Sequence, residues 1–175
     1  MPKPIVLTQL SFSGVRDSLD PSTADPRKAV TLQRDTAGLL PLSPSQKVLV
    51  VVADAPTRSD AVDDELASSL VDAVRQFAPS AVGGPARSAA TAARAADVIV
   101  LGTFDLAQHA EQQALARTLV ASGKPVVAVS LRGPYDAAAA LEVGTFLTVY
   151  GDRPVHLQAA AEALFGRISP AGKVP

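Results

Sequence analysis

Eight side chains in this sequence have both the chemistry to engage a polar ligand and a position from which to do it: Asp54, Arg58, Asp105, His109, Arg132, Tyr135, Asp136 and Asp152. They fall in stretches that follow apolar runs, ADAPTRSD (53–60), GTFDLAQH (102–109), LRGPYD (131–136) and YGDRP (150–154), with VGGPAR (82–87) as a further such loop. In an open α/β sheet, ligands bind at the carboxyl ends of the strands, where these loops gather. Carboxylates, guanidinium groups and a phenol converging there could hydrogen-bond a sugar or another polar molecule. Each has a structural reading as well. A Gly-Pro turn accounts for LRGPYD, with Asp136 capping the helix that follows. His109 with Glu111 is the only local cluster involving a histidine, and it suits the exposed first turn of a helix.

Other polar groups read as structure. Asp63, Asp64 and Glu65 resemble a catalytic acid cluster, but they sit in a helix's first turn. Acids there stabilise the helix dipole by about 0.3–1 kcal/mol each. Gly83-Gly84-Pro85 could offer backbone N–H groups to an anion, yet Pro85 removes one donor and a tight turn explains the glycines. His156 reads as a helix-surface residue, and its separation from His109 is not a metal-ligand spacing. Cysteine is absent, which removes disulfides, thiol nucleophiles and cysteine-based zinc sites. No metal site is expected. No G-x-G-x-x-G follows the first strand, so a dinucleotide site is not expected, and no cofactor is assigned. The Gly-Lys of SGKP (122–125) lacks the earlier glycine of a P-loop and precedes a strand. G-x-S-x-G is missing, and Asp54 and Asp105 lack the paired acid and the lysine of a receiver domain.

With 175 residues, 47% of them apolar, the chain can bury one substantial core. A net charge of −1 lacks the basic excess of a nucleic-acid surface. Aromatics at 4% and no tryptophan weaken any sugar platform of stacked rings. No stretch approaches the roughly 20 apolar residues of a membrane span. MPKPIVLTQLSFSG is too broken for a signal peptide, so for the chain as given a cytoplasmic location is favoured over others.

The elements that must position the candidates follow from pattern. Residues 1–24 read as a leader or linker, with IVLTQL as a short strand. Asp25 and Pro26 form a helix start, and Ala29, Val30, Leu32 and Gln33 continue it until Gly38. KVLVVVA (47–53), DVIVLG (97–102), PVVAVSL (125–131) and FLTVY (146–150) read as strands, with SAVGG as a short one. The first is an unbroken β-branched run, as in a strand covered on both faces. Helices are expected from Asp60 to about Ala78, Pro85 to Ala96, Gln108 to Ala121, Tyr135 to Leu141 and Pro154 to Phe165. Repetition of β then α predicts a three-layer α/β sandwich: an open, mostly parallel sheet of about five or six strands with helices on both faces.

Four stretches in this order carry a resemblance: AVTLQRDTAGLLPL (29–42), ADVIVLGTF (96–104), GKPVVAVSLRGPYD (123–136) and LFGRISPAGKVP (164–175). Over residues 25–175 the chain resembles the C-terminal α/β domain of glycoside hydrolase family 3, and LRGPYD resembles its bacterial β-N-acetylhexosaminidase-like branch. The resemblance implies a helix carrying the V-T-L-x-R-D run. It also implies a role in enzymes that hydrolyse β-linked glucosides, xylosides or N-acetylglucosaminides with retention. Such chemistry needs a carboxylate nucleophile and an acid/base about 5–5.5 Å apart. In that family the nucleophile is an Asp on an N-terminal (β/α)8 barrel of about 250 residues, for which this chain has no room. The acid/base is a Glu of the C-terminal domain in the β-glucosidase branch, and a His–Asp pair of a barrel loop in the N-acetylglucosaminidase branch. Glu111 and Glu142 read here as helix and pre-strand residues, so no catalytic residue carries over.

The expectation is therefore an accessory domain, inactive alone, whose partner is a barrel in cis or in trans and whose loops border a carbohydrate. Its barrel-facing surface should leave an apolar patch or drive homo-oligomerisation, with no nucleic-acid or membrane partner. The alternative is a free-standing sugar- or protein-binding module of the same fold. A small-molecule enzyme of flavodoxin-like fold is a third reading.

Overall fold

The computed structural model describes residues 25–54 and 60–172. The leader and its IVLTQL run, and the loop with Arg58, lie outside the described residues. Five strands run parallel: β2 (Val48–Val52), β3 (Val82–Gly83), β4 (Val98–Thr103), β5 (Val126–Ser130) and β6 (Thr145–Thr148). A further strand, β1 (Thr31–Asp35), pairs antiparallel with β6, giving the order β1-β6-β5-β4-β2-β3. Every residue of β2, β4, β5 and β6 is buried, as unbroken apolar runs in a doubly covered parallel sheet require.

Alternate residues of each strand feed two cores. Val48, Val50, Val98, Val100, Val127, Val129 and Leu147 face α2 (Asp60–Arg75) and α6 (Pro154–Leu164). Leu49, Val51, Ile99, Leu101, Val126, Ala128 and Phe146 face α3 (Ala89–Ala92), α4 (Ala110–Ala121) and α5 (Asp136–Ala139). The three-layer sandwich read from the sequence is the fold. No helix among the described residues is long and apolar enough to cross a membrane.

The helix expected from Pro26 towards Gly38 is the main correction. Asp25 does cap it, accepting from Arg27 N at 3.0 Å, but α1 covers only Pro26–Ala29. From Thr31 the chain is strand β1. Val30 and Thr31 are β-branched and both buried, a composition that favours a pleated, packed surface over a helix. The end of β6 supplies the ladder that local propensity does not reveal, with Thr31 opposite Thr148 and Asp35 opposite Thr145. The V-T-L-x-R-D run is thus a strand. Two of the other helices are also less regular than expected. The segment after Pro85 is α3 flanked by 3-10 turns at Ala86–Ser88 and Ala93–Ala95, and α5 is a single turn.

The charged members of that run hold β1 in place. Arg34 Nη2 donates to Ala140 O at 2.8 Å and Ala137 O at 3.1 Å, satisfying carbonyls at the end of α5. Gln33 Nε2 donates to Pro134 O at 2.8 Å. Asp35 accepts from Thr145 Oγ1 at 2.6 Å and Leu39 N at 3.0 Å. Burial works to raise the Asp35 carboxyl, but these bonds and those from the Leu40 and Gly38 amides outweigh it and hold the group below the usual carboxylate range.

The first and last family-like stretches also meet. Leu42 N donates to Leu164 O at 2.8 Å, and Gly172 N donates to Val30 O at 2.9 Å. A Cβ on Gly172 would lie 2.3 Å from Ala29 O, so only glycine allows the tail this close approach. Replacing Arg34 by Ala strips two α5 carbonyls of their donor. We expect a loss of about 1–3 kcal/mol, seen as a lower urea midpoint with an unchanged m value.

Candidate functional site

The parallel strands follow the flavodoxin-like order in which the chain reverses direction between β2 and β4, and a ligand crevice is expected outside their carboxyl ends. In this protein a side chain bridges that crevice. Gln112 of α4 is 1% exposed, its Oε1 accepts from Phe104 N at 3.0 Å, and its Nε2 donates to Asp54 O at 3.2 Å. One amide therefore spans the ends of β4 and β2. The space left between Ala53, Asp54, Ala86, Glu111 and Leu115 is about 180 Å³, below the size of an ordinary ligand pocket. Sequence reasoning missed Gln112, because a polar residue early in an amphipathic helix carries no sign of facing inward.

A larger open cleft lies towards the β3 edge, beside α2 and the Gly83-Gly84-Pro85 turn. Arg75 at its side is already engaged, donating to Ala81 O at 2.9 Å and pairing with Asp72 at 3.3 Å.

Asp136 occupies a different place from the one its sequence suggested. It is the first residue of α5, 2% exposed, and turned towards the strand ends. Its Oδ2 accepts from Thr103 Oγ1 at 2.8 Å and Ser130 Oγ at 2.9 Å, and its Oδ1 accepts from Leu106 N at 2.8 Å. Thr103 and Ser130 end β4 and β5 and stand opposite one another in the ladder. Burial raises the carboxyl above its ordinary value, with the negative Asp105 adding to the rise, while the three hydrogen bonds oppose it.

Around this buried carboxyl the remaining candidates form a rim. Asp105 adopts φ 47° directly after Phe104, a left-handed conformation in which Asp is among the better tolerated residues. Arg132 Nη1 reaches Asp105 Oδ2 at 3.5 Å, and the guanidinium lies 5.8 Å from the Phe104 ring centre. Tyr135 is 74% exposed. His109 is half-buried and stands at the N-terminus of α4 with no side-chain cap bond. Asp152 is half-buried beyond β6, next to Tyr150, whose φ is 57°. Asp54 stands apart from this rim, exposed at the end of β2, where it lines the larger cleft with Gly83, Gly84 and Arg87.

His156 is more than a surface residue. Its ring packs on Gly151, where a Cβ would come within 2.6 Å, and its Nδ1 is buried with no hydrogen-bond partner among the described residues. Among the described residues no group of three or more metal-ligating side chains converges.

The comparisons agree with this architecture. Residues 30–175 match the Glycosyl hydrolase family 3 C-terminal domain. The chain belongs to that family. No curated protein matches the sequence. Among solved structures, it is similar to a glycoside hydrolase family 3 β-N-acetylglucosaminidase from Paenibacillus, with 22% identity, TM-score 0.72 and coverage of 86% of this chain and 30% of that one. It is also similar to a β-glucosidase from Listeria innocua in complex with glucose, with 19% identity, TM-score 0.70 and coverage of 97% and 27%. A fungal multi-domain family 3 β-N-acetylglucosaminidase aligns at 20% identity and TM-score 0.71, with coverage of 86% and 18%. The chain spans less than a third of the length of each.

Truncating Asp136 to Ala leaves the Thr103 hydroxyl and the Leu106 amide without their acceptor in a buried setting, while Ser130 keeps Gly133 O. We expect a loss of about 2–4 kcal/mol by chemical denaturation. The raised carboxyl also has a pH signature. Its contribution to stability is full below the ordinary carboxylate range and is lost as pH rises through its folded value. Asp136→Asn should remove that part of the slope when unfolding midpoints are compared from acid to neutral pH.

Proposed function

We propose that this chain is the accessory C-terminal domain of a family 3 glycoside hydrolase of the bacterial β-N-acetylhexosaminidase-like branch. It packs on a (β/α)8 barrel, residues 1–24 make the connection, and the strand-end loops border the sugar site. The observation that carries this reading is the direction of β1. Because β1 is antiparallel, its first residue lies beside the last residue of β6, Thr31 opposite Thr148. Strand β1 therefore begins at the carboxyl edge of the sheet, the edge that holds the 102–109, 131–136 and 150–154 loops. Ahead of it α1 packs on α6, with Arg27 paired to Glu162, and the preceding domain is proposed to reach those loops past this contact.

The chemistry of the edge supports an accessory role. Retaining hydrolysis needs two carboxyl groups about 5–5.5 Å apart on either side of the sugar. Asp136 is buried with its oxygens engaged inside the protein, and Asp105 is paired with Arg132. No glutamate lies in the described strand-end loops, which favours the branch whose acid/base belongs to the barrel. Three exposed apolar side chains lie near β1, while Val82 is on the opposite edge strand β3 and Val155 on α6. Leu32 is 39% exposed, and Tyr135 and Leu141, at 74% and 73%, adjoin the carbonyls that Gln33 and Arg34 bond. Without a barrel, this side is where self-association would form, detectable as a concentration-dependent sedimentation coefficient.

The purified chain should not turn over chromogenic N-acetylglucosaminides or glucosides, and should contribute to turnover only with a barrel supplied. Hydrolysis by the 175-residue chain alone would overturn the reading.

A further inference from the structure

The cluster around Asp136 is short of one hydrogen. Ser130 carries a single hydroxyl hydrogen, yet two acceptors are within reach of its Oγ, Gly133 O at 2.6 Å and Asp136 Oδ2 at 2.9 Å. Thr103 Oγ1 spends its own hydrogen on the same Oδ2, and the Leu106 amide serves Oδ1. With the carboxyl ionised, Ser130 can serve only one of its two neighbours, and the other becomes a close oxygen–oxygen contact with no hydrogen between. With a proton on Oδ2 the count closes. Asp136 donates to Ser130 Oγ, Ser130 donates to Gly133 O, and Oδ2 still accepts from Thr103 through a lone pair.

We propose that Asp136 is a proton-dependent positioning residue, whose Oδ2 proton completes a relay through Ser130 to Gly133 O and so fixes the Arg132–Tyr135 turn on the carboxyl edge. The proton is exchanged with water. The turn carries Arg132, held over Phe104 and against Asp105, and the exposed Tyr135. The relay therefore sets the side chains that stand outermost on the rim. Among the described residues, the titratable and charged side chains on the elements around it are Asp105 after β4, His109 at the end of the Leu106–Gln108 turn that packs on α5, Arg132 and Tyr135 of the turn itself, and Arg34 of β1, which is engaged with Ala137 O and Ala140 O on α5. Burial and the Asp105 charge both favour uptake of the proton. That the turn faces a partner rests on the function proposed above. The relay itself does not, and its test reads the turn without any partner present.

The test follows the Asp136 carboxyl carbon and the Gly133 and Tyr135 backbone amides of the 175-residue chain by NMR, from neutral to acid pH. In the native protein both amides should shift with the midpoint of Asp136. Ser130→Ala keeps the Thr103 and Leu106 bonds, so Asp136 should still titrate while the coupled movement of the two amides is lost. Asp136→Asn offers Ser130 an N–H donor at every pH and should hold both amides at their acid-limit positions. Should that variant fail to fold, Ser130→Ala decides alone. Amides indifferent to Asp136 in the native protein, or still following it after Ser130→Ala, overturn the proposal.

Discussion

The pairing of β1 on β6 is the constraint on which the rest of the geometry depends. A parallel sheet has strands that all begin at one edge and end at the other. A single antiparallel strand therefore lets the chain enter where its partners finish. Thr31 beside Thr148 brings that entry point to the carboxyl edge, and the Gly172–Val30 bond brings the C-terminal stretch to the same place. Arg34 and Gln33 then tie the edge strand to the 134–140 segment. The outer strand, the loop after β5 and the turn of α5 are thus one connected structure.

The carboxyl edge shows a second constraint. Buried polar groups must find partners, because an unpaired one costs about 1–3 kcal/mol. Gln112 and Asp136 meet that demand by bonding the ends of neighbouring strands to one another. The Gln112 bonds narrow the crevice in which open α/β sheets commonly hold a ligand. What stays accessible is the outer rim of Asp105, Arg132 and Tyr135 and, towards β3, the open cleft beside Asp54 and Gly83.

Much of the fold was legible because burial on both faces leaves a plain signature. The runs at 48–52, 98–103 and 126–130 are apolar without alternation, and all three are central strands. Stop signals were also legible, since Gly123 and Gly166 take positive φ after α4 and α6. The segment after Pro26 was misread because its helix start is genuine but lasts one turn. The competing strand exists only through β6, more than a hundred residues away, and no local pattern carries that information. The site was less legible for the same reason. Asp136 in a Gly-Pro turn looks like a surface cap, and only the converging ends of β4 and β5 make it a buried carboxyl. Gln112 gave no signal at all, since its role depends on two strand ends that meet only in the folded chain.

We propose the carboxyl edge as the docking surface for a (β/α)8 barrel. Hydrogen–deuterium exchange of the chain alone and in the presence of a family 3 barrel domain tests it most directly. Protection should rise at 105–109, 131–135 and 150–153, with the β3 edge and α3 unchanged. Protection confined to β3 and α3, or no change at the carboxyl edge in a complex that demonstrably forms, would contradict it.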